Sequence, residues 1–118
     1  MSTQPSSQQL MTVIQTQTAI AKLGLDLNAV MTLVAEQVQD MTQAKGAIVE
    51  LAEDGDMVYR AVSNGADQFL GLRLGMHNSL SGLCIEQNKT LYCQDSEHDV
   101  RVDREACRRV GLRSMAVV

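Results

Sequence analysis

The sequence predicts an α+β domain. The expected architecture is an antiparallel sheet with a long N-terminal helix on one face and short helices on the other. Three observations carry this. One apolar stripe of helical period runs from Leu27 to Met41. Two strand-like runs flank Asp54-Gly55-Asp56, a hairpin signal because glycine accepts the positive φ of a tight turn. A succession of short helices and strands then fills Ser79 to Val118.

The 118 residues are enough for one domain, with a lead-in at 1–9, a helix at 10–25 and the main domain at 26–118. Ser, Gln and Thr dominate Met1–Gln9, together with the sole proline, Pro5, so this stretch reads as disordered. Leu10, Val13, Ile14, Ile20, Ala21 and Leu23 form a modest amphipathic helix ending near Gly24. Its apolar face is too thin to stand alone, so it is expected to dock on the domain or on a second copy. In the next helix Asp26 is the N-cap, and Leu27, Val30, Met31, Val34, Val38 and Met41 line one face.

Strands are expected at Gly46–Leu51, Met57–Val62 and, shorter, Phe69–Leu74, with Asn64-Gly65 closing the second. A helix over Ser81–Gln87 leads to a strand at Thr90–Gln94. A polar loop over Asp95–Asp99 precedes a helix at Asp103–Val110. Gly111 stands where a left-handed cap belongs, and a final strand spans Arg113–Val118.

Hydrophobic residues make up 45% of the chain but only three are aromatic, so aliphatics and seven methionines must fill the core. A net charge of -4 gives no electrostatic reason to bind nucleic acid or an anionic membrane. No apolar run approaches the roughly 20 residues that cross a bilayer. Three cysteines without a CxxC pair argue against a disulfide scaffold and for reduced thiols in the cytoplasm. His77 and His98 lack metal-ligand spacing with the cysteines, and the carboxylates Asp95, Glu97, Asp99 and Asp103 lack the glycine and closing glutamate of a calcium loop. No metal and no cofactor are expected.

Several tokens in this order, Lys45–Leu51, Tyr59–Val62, Gly71–Leu74, Ser81-Gly82-Leu83-Cys84 and Arg109–Met115, resemble a GAF domain, the sensory module of bacterial signalling proteins. GAF modules upstream of diguanylate cyclase, phosphodiesterase or histidine kinase domains are the nearest in pattern. The resemblance implies a regulatory module that senses an unidentified small molecule or dimerises, and that reports to an output domain in cis or trans. It implies a pocket between the sheet and the short helices, lined by Arg73, Ser79, Ser81, Cys84, Asp95, Arg104, Cys107 and Arg113. Family members continue past Val118 with a further strand and helix. The domain is therefore expected to be incomplete at its C-terminus, either as a cut piece or natural fragment of a longer chain, or as a homodimer in which a second copy completes the edges of Ala47–Leu51 and Met115–Val118.

The resemblance also separates ligand classes. The Asn-Lys-x-Asp signature of cyclic-nucleotide binders is only begun by Asn88-Lys89-Thr90-Leu91, and neither Cys84 nor Cys107 has the neighbouring histidine of bilin attachment. Gly82-Leu83-Cys84 and Ala106-Cys107-Arg108 resemble steps of the GAF-fold free methionine-(R)-sulfoxide reductases. There a low-pKa thiolate attacks the sulfoxide and a second thiol resolves it, and Arg104 and Arg108 would lower the Cys107 pKa. The aspartate after the second cysteine is missing, as are the acids and tryptophan that hold the substrate. Buried, inert cysteines and no enzymatic activity are therefore expected. Arg101, Arg104, Arg108, Arg109 and Arg113 form a basic cluster, read either as an anion site or as a solvated helix with local pairs such as Glu105–Arg109.

Overall fold

Helix formation at the N-terminus begins with a reciprocal cap. Ser6 Oγ accepts from Gln9 N–H at 3.1 Å and Gln9 Oε1 accepts from Ser6 N–H at 2.8 Å, so two orphan donors are satisfied at once. This box starts α1 at Ser7, three residues ahead of the expected start, and carries it to Leu23. The computed structural model describes residues 4–24, 26–63 and 66–118; the first residues of the expected lead-in and the Asn64-Gly65 turn lie outside them. The chain divides into two compact units, residues 1–49 with 60–70 and residues 50–59 with 71–118.

The first unit holds α1 and α2 (Leu27–Thr42), packed on each other. Asp26 caps α2 by accepting from Ala29 N–H at 3.0 Å, as its sequence implied. The buried face differs from the expected stripe. Met31 and Ala35 are the buried residues of α2, Ala35 at 1% exposure, whereas Leu27 and Val38 are exposed. A small side chain at Ala35 permits close approach that a stripe of larger residues does not. No residue of α1 is buried, and Leu10 and Ile14 remain 50% and 56% exposed. Ser63 closes the unit: it donates its N–H to the Ala47 carbonyl at 2.9 Å, and its Oγ accepts from Ala47 N–H at 2.8 Å.

The hairpin strands β1 (Ile48–Glu53) and β2 (Asp56–Val62) are joined by Asp54-Gly55. Both turn residues have positive φ, 52° and 80°, which is the type I′ geometry that matches strand twist. β2 pairs with β3 (Arg73–Gly75), Met57 opposite Leu74. The expected third strand from Phe69 is shorter, because Asp67–Phe69 form a 3-10 turn and Gly71 sits at φ 84°. That glycine interrupts the ladder while Gly71 N–H still reaches Tyr59 O.

Most of the second unit follows in sequence: α3 (Leu80–Gln87), β4 (Leu91–Cys93), α4 (Arg104–Val110) and β5 (Met115–Val117). β4 and β5 pair antiparallel, Tyr92 opposite Ala116. The described strands thus form two antiparallel groups, β1-β2-β3 and β4-β5, rather than one continuous ladder. β1 and β5 each have one described strand neighbour. Leu80, Cys84, Leu91 and Cys93 form the core of this unit, with Leu83, Val102, Met115 and Val117 against it. Gly111 caps α4 in the left-handed region at φ 81°.

Gly82 sets the position of α3. A Cβ there would overlap the Met76 carbonyl oxygen and stand 2.6 Å from its carbon, both backbone atoms that cannot swing aside. Gly82→Ala is therefore expected to destabilise the protein by about 3 kcal/mol, the upper range for overpacking. A urea titration would check it, and an unchanged midpoint would contradict the close approach.

Candidate ligand-binding site

The first turn of α3 gathers the buried polar groups of the second unit. Ser79, in extended conformation, is the N-cap and accepts from Gly82 N–H at 3.1 Å. Ser81 lies one residue into the helix, its Oγ 3.4 Å from Ser79 Oγ, and donates to Glu50 Oε1 at 3.0 Å. Both serines are buried. Glu50 therefore approaches α3 from β1.

Glu50 on β1 lies near Tyr59 on β2, close enough for its carboxylate to act on the phenol. Glu50 is half-buried with no cation among its neighbours. Burial pushes its carboxyl pKa up, and the Ser81 hydroxyl only partly offsets that. Tyr59 is 4% exposed. Its phenol is held neutral, first by burial and then by the Glu50 carboxylate and Cys107. Among the described residues the Tyr59 hydroxyl makes no hydrogen bond, yet no sealed oxygen lacks a partner, so this oxygen retains access to solvent or ligand.

The expected lining separates into parts. Ser79 and Ser81 come together, and Asp95 joins Arg113. Cys84 belongs to the core, its thiol 3.7 Å from the Val117 carbonyl. Arg73 is spent on the hairpin turn, donating to Asp56 Oδ2 and to the Glu53 carbonyl, each at 3.0 Å. Arg104 opens α4 and is exposed. Cys107 is buried, and its thiol pKa is raised by burial first and then by Asp103, Glu97 and Asp99. This corrects the expectation that Arg104 and Arg108 would lower it: carboxylates dominate the field there, because Arg108 is turned to Glu97.

The loop after β4 is ordered by three bidentate pairs instead of being merely solvated. Arg113 grips Asp95 at 2.7 and 3.1 Å, Arg108 grips Glu97 at 2.9 and 2.6 Å, and Arg101 grips Asp99 at 2.9 and 2.7 Å. The expected Glu105–Arg109 pair is not among the described ion pairs. Ser96, 1% exposed, ties the loop down by donating N–H to Arg113 O and Oγ to Leu112 O. Asp95 is held well below the usual carboxylate range by Arg113, then His98 and the Glu97 N–H. Arg101 does the same for Asp99, and Arg108 lowers Glu97.

Glu50 and Tyr59 are the site residues the sequence reading passed over. The available signal was a charge inside the apolar run Ile48-Val49-Glu50-Leu51. No group of described residues has the makings of a metal site. In the first unit an open groove of about 710 Å³ lies along α1 and α2, over Leu23, Ala29 and Leu33 and beside Asp26 and Glu36. It contains none of the expected lining residues.

The two kinds of carboxylate predict opposite pH dependences. Asp95 and Asp99 have folded-state pKa values below their unfolded ones, so their stabilisation is present above the ordinary carboxylate range and fades as pH falls through the folded values. Asp95→Asn is expected to flatten the acid limb of a stability–pH profile. Glu50 is raised, so its ionisation opposes folding as pH climbs from the ordinary value of 4.5. Glu50→Gln should raise the melting midpoint near pH 7 by a few degrees, about what 1 kcal/mol provides in a small domain, and give no gain in acid. Calorimetry across the pH range reads both slopes.

No family model matches the sequence, and no curated protein matches it. Solved structures do. The GAF domain of a phosphoenolpyruvate-protein phosphotransferase from Coxiella burnetii aligns with a TM-score of 0.77 at 18% identity, over 92% of this chain and 66% of that one. The GAF domain of the Acinetobacter phosphoenolpyruvate-protein phosphotransferase aligns with a TM-score of 0.69, also at 18% identity, over 81% of this chain and 63% of that one. The chain thus spans a little under two thirds of the length of each. Among the described residues no helix is long and apolar enough to cross a membrane. Strand order, capped short helices and these alignments agree: this chain has the fold of a GAF domain.

Proposed function

We propose that the chain is a regulatory GAF module of a bacterial signalling protein, sensing a small ligand beneath α3 rather than catalysing a reaction. Glu50 carries this reading. A half-buried carboxylate beside a buried phenol costs stability, and the chain meets that cost with one serine hydroxyl and no cation. Sites that keep such uncompensated groups are frequently functional. A ligand bound there would move α3, whose first turn contacts Glu50 directly. The output domain, in cis or trans, and a cytoplasmic setting belong to the same proposal.

Self-association through α1 is the second part. A 17-residue helix with no buried residue has little reason to persist in water unless its apolar side chains are covered. Leu10, Met11 and Ile14 are the exposed residues that a second copy would cover.

Native mass spectrometry tests the sensor. Mass retained by the folded chain and lost on denaturation supports it, and a library of metabolites that leaves the melting midpoint unmoved opposes it. Cys107→Ser should leave ligand binding intact, whereas a thiol enzyme would lose sulfoxide reduction. Sedimentation tests the dimer: Ile14→Glu should convert a dimeric wild type to monomer without shifting its circular dichroism. A monomeric wild type would end that part of the proposal.

A further inference from the structure

We infer that the group bound beneath α3 is a small organic cation, an ammonium or guanidinium, held by the Glu50 carboxylate with the Tyr59 phenol beside it. The inference rests on the sensor reading above and names the chemical class of its ligand.

Three observations converge. Glu50 has one hydrogen-bonding partner, the Ser81 hydroxyl, which occupies Oε1 at 3.0 Å and leaves Oε2 without a donor among the described residues. A carboxylate accepts more than one such bond, and the strongest come from charged donors. Tyr59, nine-tenths buried and more, lies near enough to Glu50 to feel its charge, with its hydroxyl unpaired and accessible. Its oxygen can accept from the same ligand, and its ring face attracts cations. Arg101, Arg108 and Arg113 are not open to a competing anion, since each is closed bidentately on a carboxylate.

A cation also repairs the local electrostatics. Burial with no positive neighbour makes the ionised form of Glu50 costly, and an ammonium at hydrogen-bonding distance removes that cost by pairing. The neighbouring titratable groups, Tyr59 and Cys107, both have raised pKa values and stay neutral near pH 7. Glu50 is therefore the group whose charge the ligand meets. Binding should strengthen as pH rises through the Glu50 titration, because the cation selects the ionised carboxylate.

The test uses agmatine and n-butylamine as cationic probes, with butyrate and glycerol as anionic and neutral counterparts, measured by thermal shift and calorimetry on the whole chain. The amines are expected to raise the midpoint where butyrate and glycerol do not. Glu50→Gln, which keeps shape and the Ser81 bond, should weaken the amines by roughly tenfold or more, and Tyr59→Phe by roughly threefold. The carboxyl carbon resonance of Glu50 should titrate at lower pH in the amine complex than alone. Binding of butyrate or other anions, unaffected by Glu50→Gln, would overturn the cation class and leave the sensor standing. No binding by any probe, with a native mass equal to the denatured mass, would overturn both.

Discussion

Close approach of the first turn of α3 to the Met76 backbone is the constraint from which the second unit is organised. Only a residue without a side chain fits at position 82. With Gly82 there, Ser79 caps the helix from one side and Ser81 turns toward β1, where Glu50 meets it. The same contact lowers Leu80 and Cys84 into the core with Leu91 and Cys93. A retreat of this turn would draw on the core contacts of Leu80 and Cys84 and on the Ser81–Glu50 bond together. Packing and polar chemistry are joined here through one glycine.

That joining sets the energetic character of the site. An unpaired ionised group in a low-dielectric interior costs several kcal/mol, whereas one neutral hydroxyl contributes roughly 1 kcal/mol net. Ser81 alone does not balance Glu50 at full burial. The group's partial exposure reduces the deficit, which is why the arrangement is tolerable in a small domain. On the proposed sensor reading, the remaining imbalance is what a ligand at Glu50 would relieve. A fully satisfied cluster would hold the helix more firmly and respond less.

Legibility in the sequence followed the range of the interactions. Local signals were readable: Asp26 as a cap, Asp54-Gly55 as a turn and Gly111 as a left-handed stop all depend on neighbours within four residues. Boundaries shifted where a nearby feature competed, as Ser6 did for the start of α1 and Gly71 for the length of β3. Of the expected lining, Ser79 and Ser81 landed together because both sit on one helical turn. Arg73 and Cys84 were claimed by the hairpin and the core, partners that no short-range pattern announces. Glu50 went unread as a site because its meaning depends on a helix some thirty residues away.

The arginine-rich second half shows why pairing, rather than composition, decides the sign of a site. Five arginines after Val100 invite an anion-binding reading. Yet Asp95, Glu97 and Asp99 alternate along the loop so that each faces one guanidinium in fork geometry. An anion approaching Arg101, Arg108 or Arg113 would have to break a bidentate pair and strand the carboxylate that the arginine holds. An incoming cation at Glu50 displaces no protein partner at all. At those three arginines an exchange costs a pair, and at Glu50 it costs none.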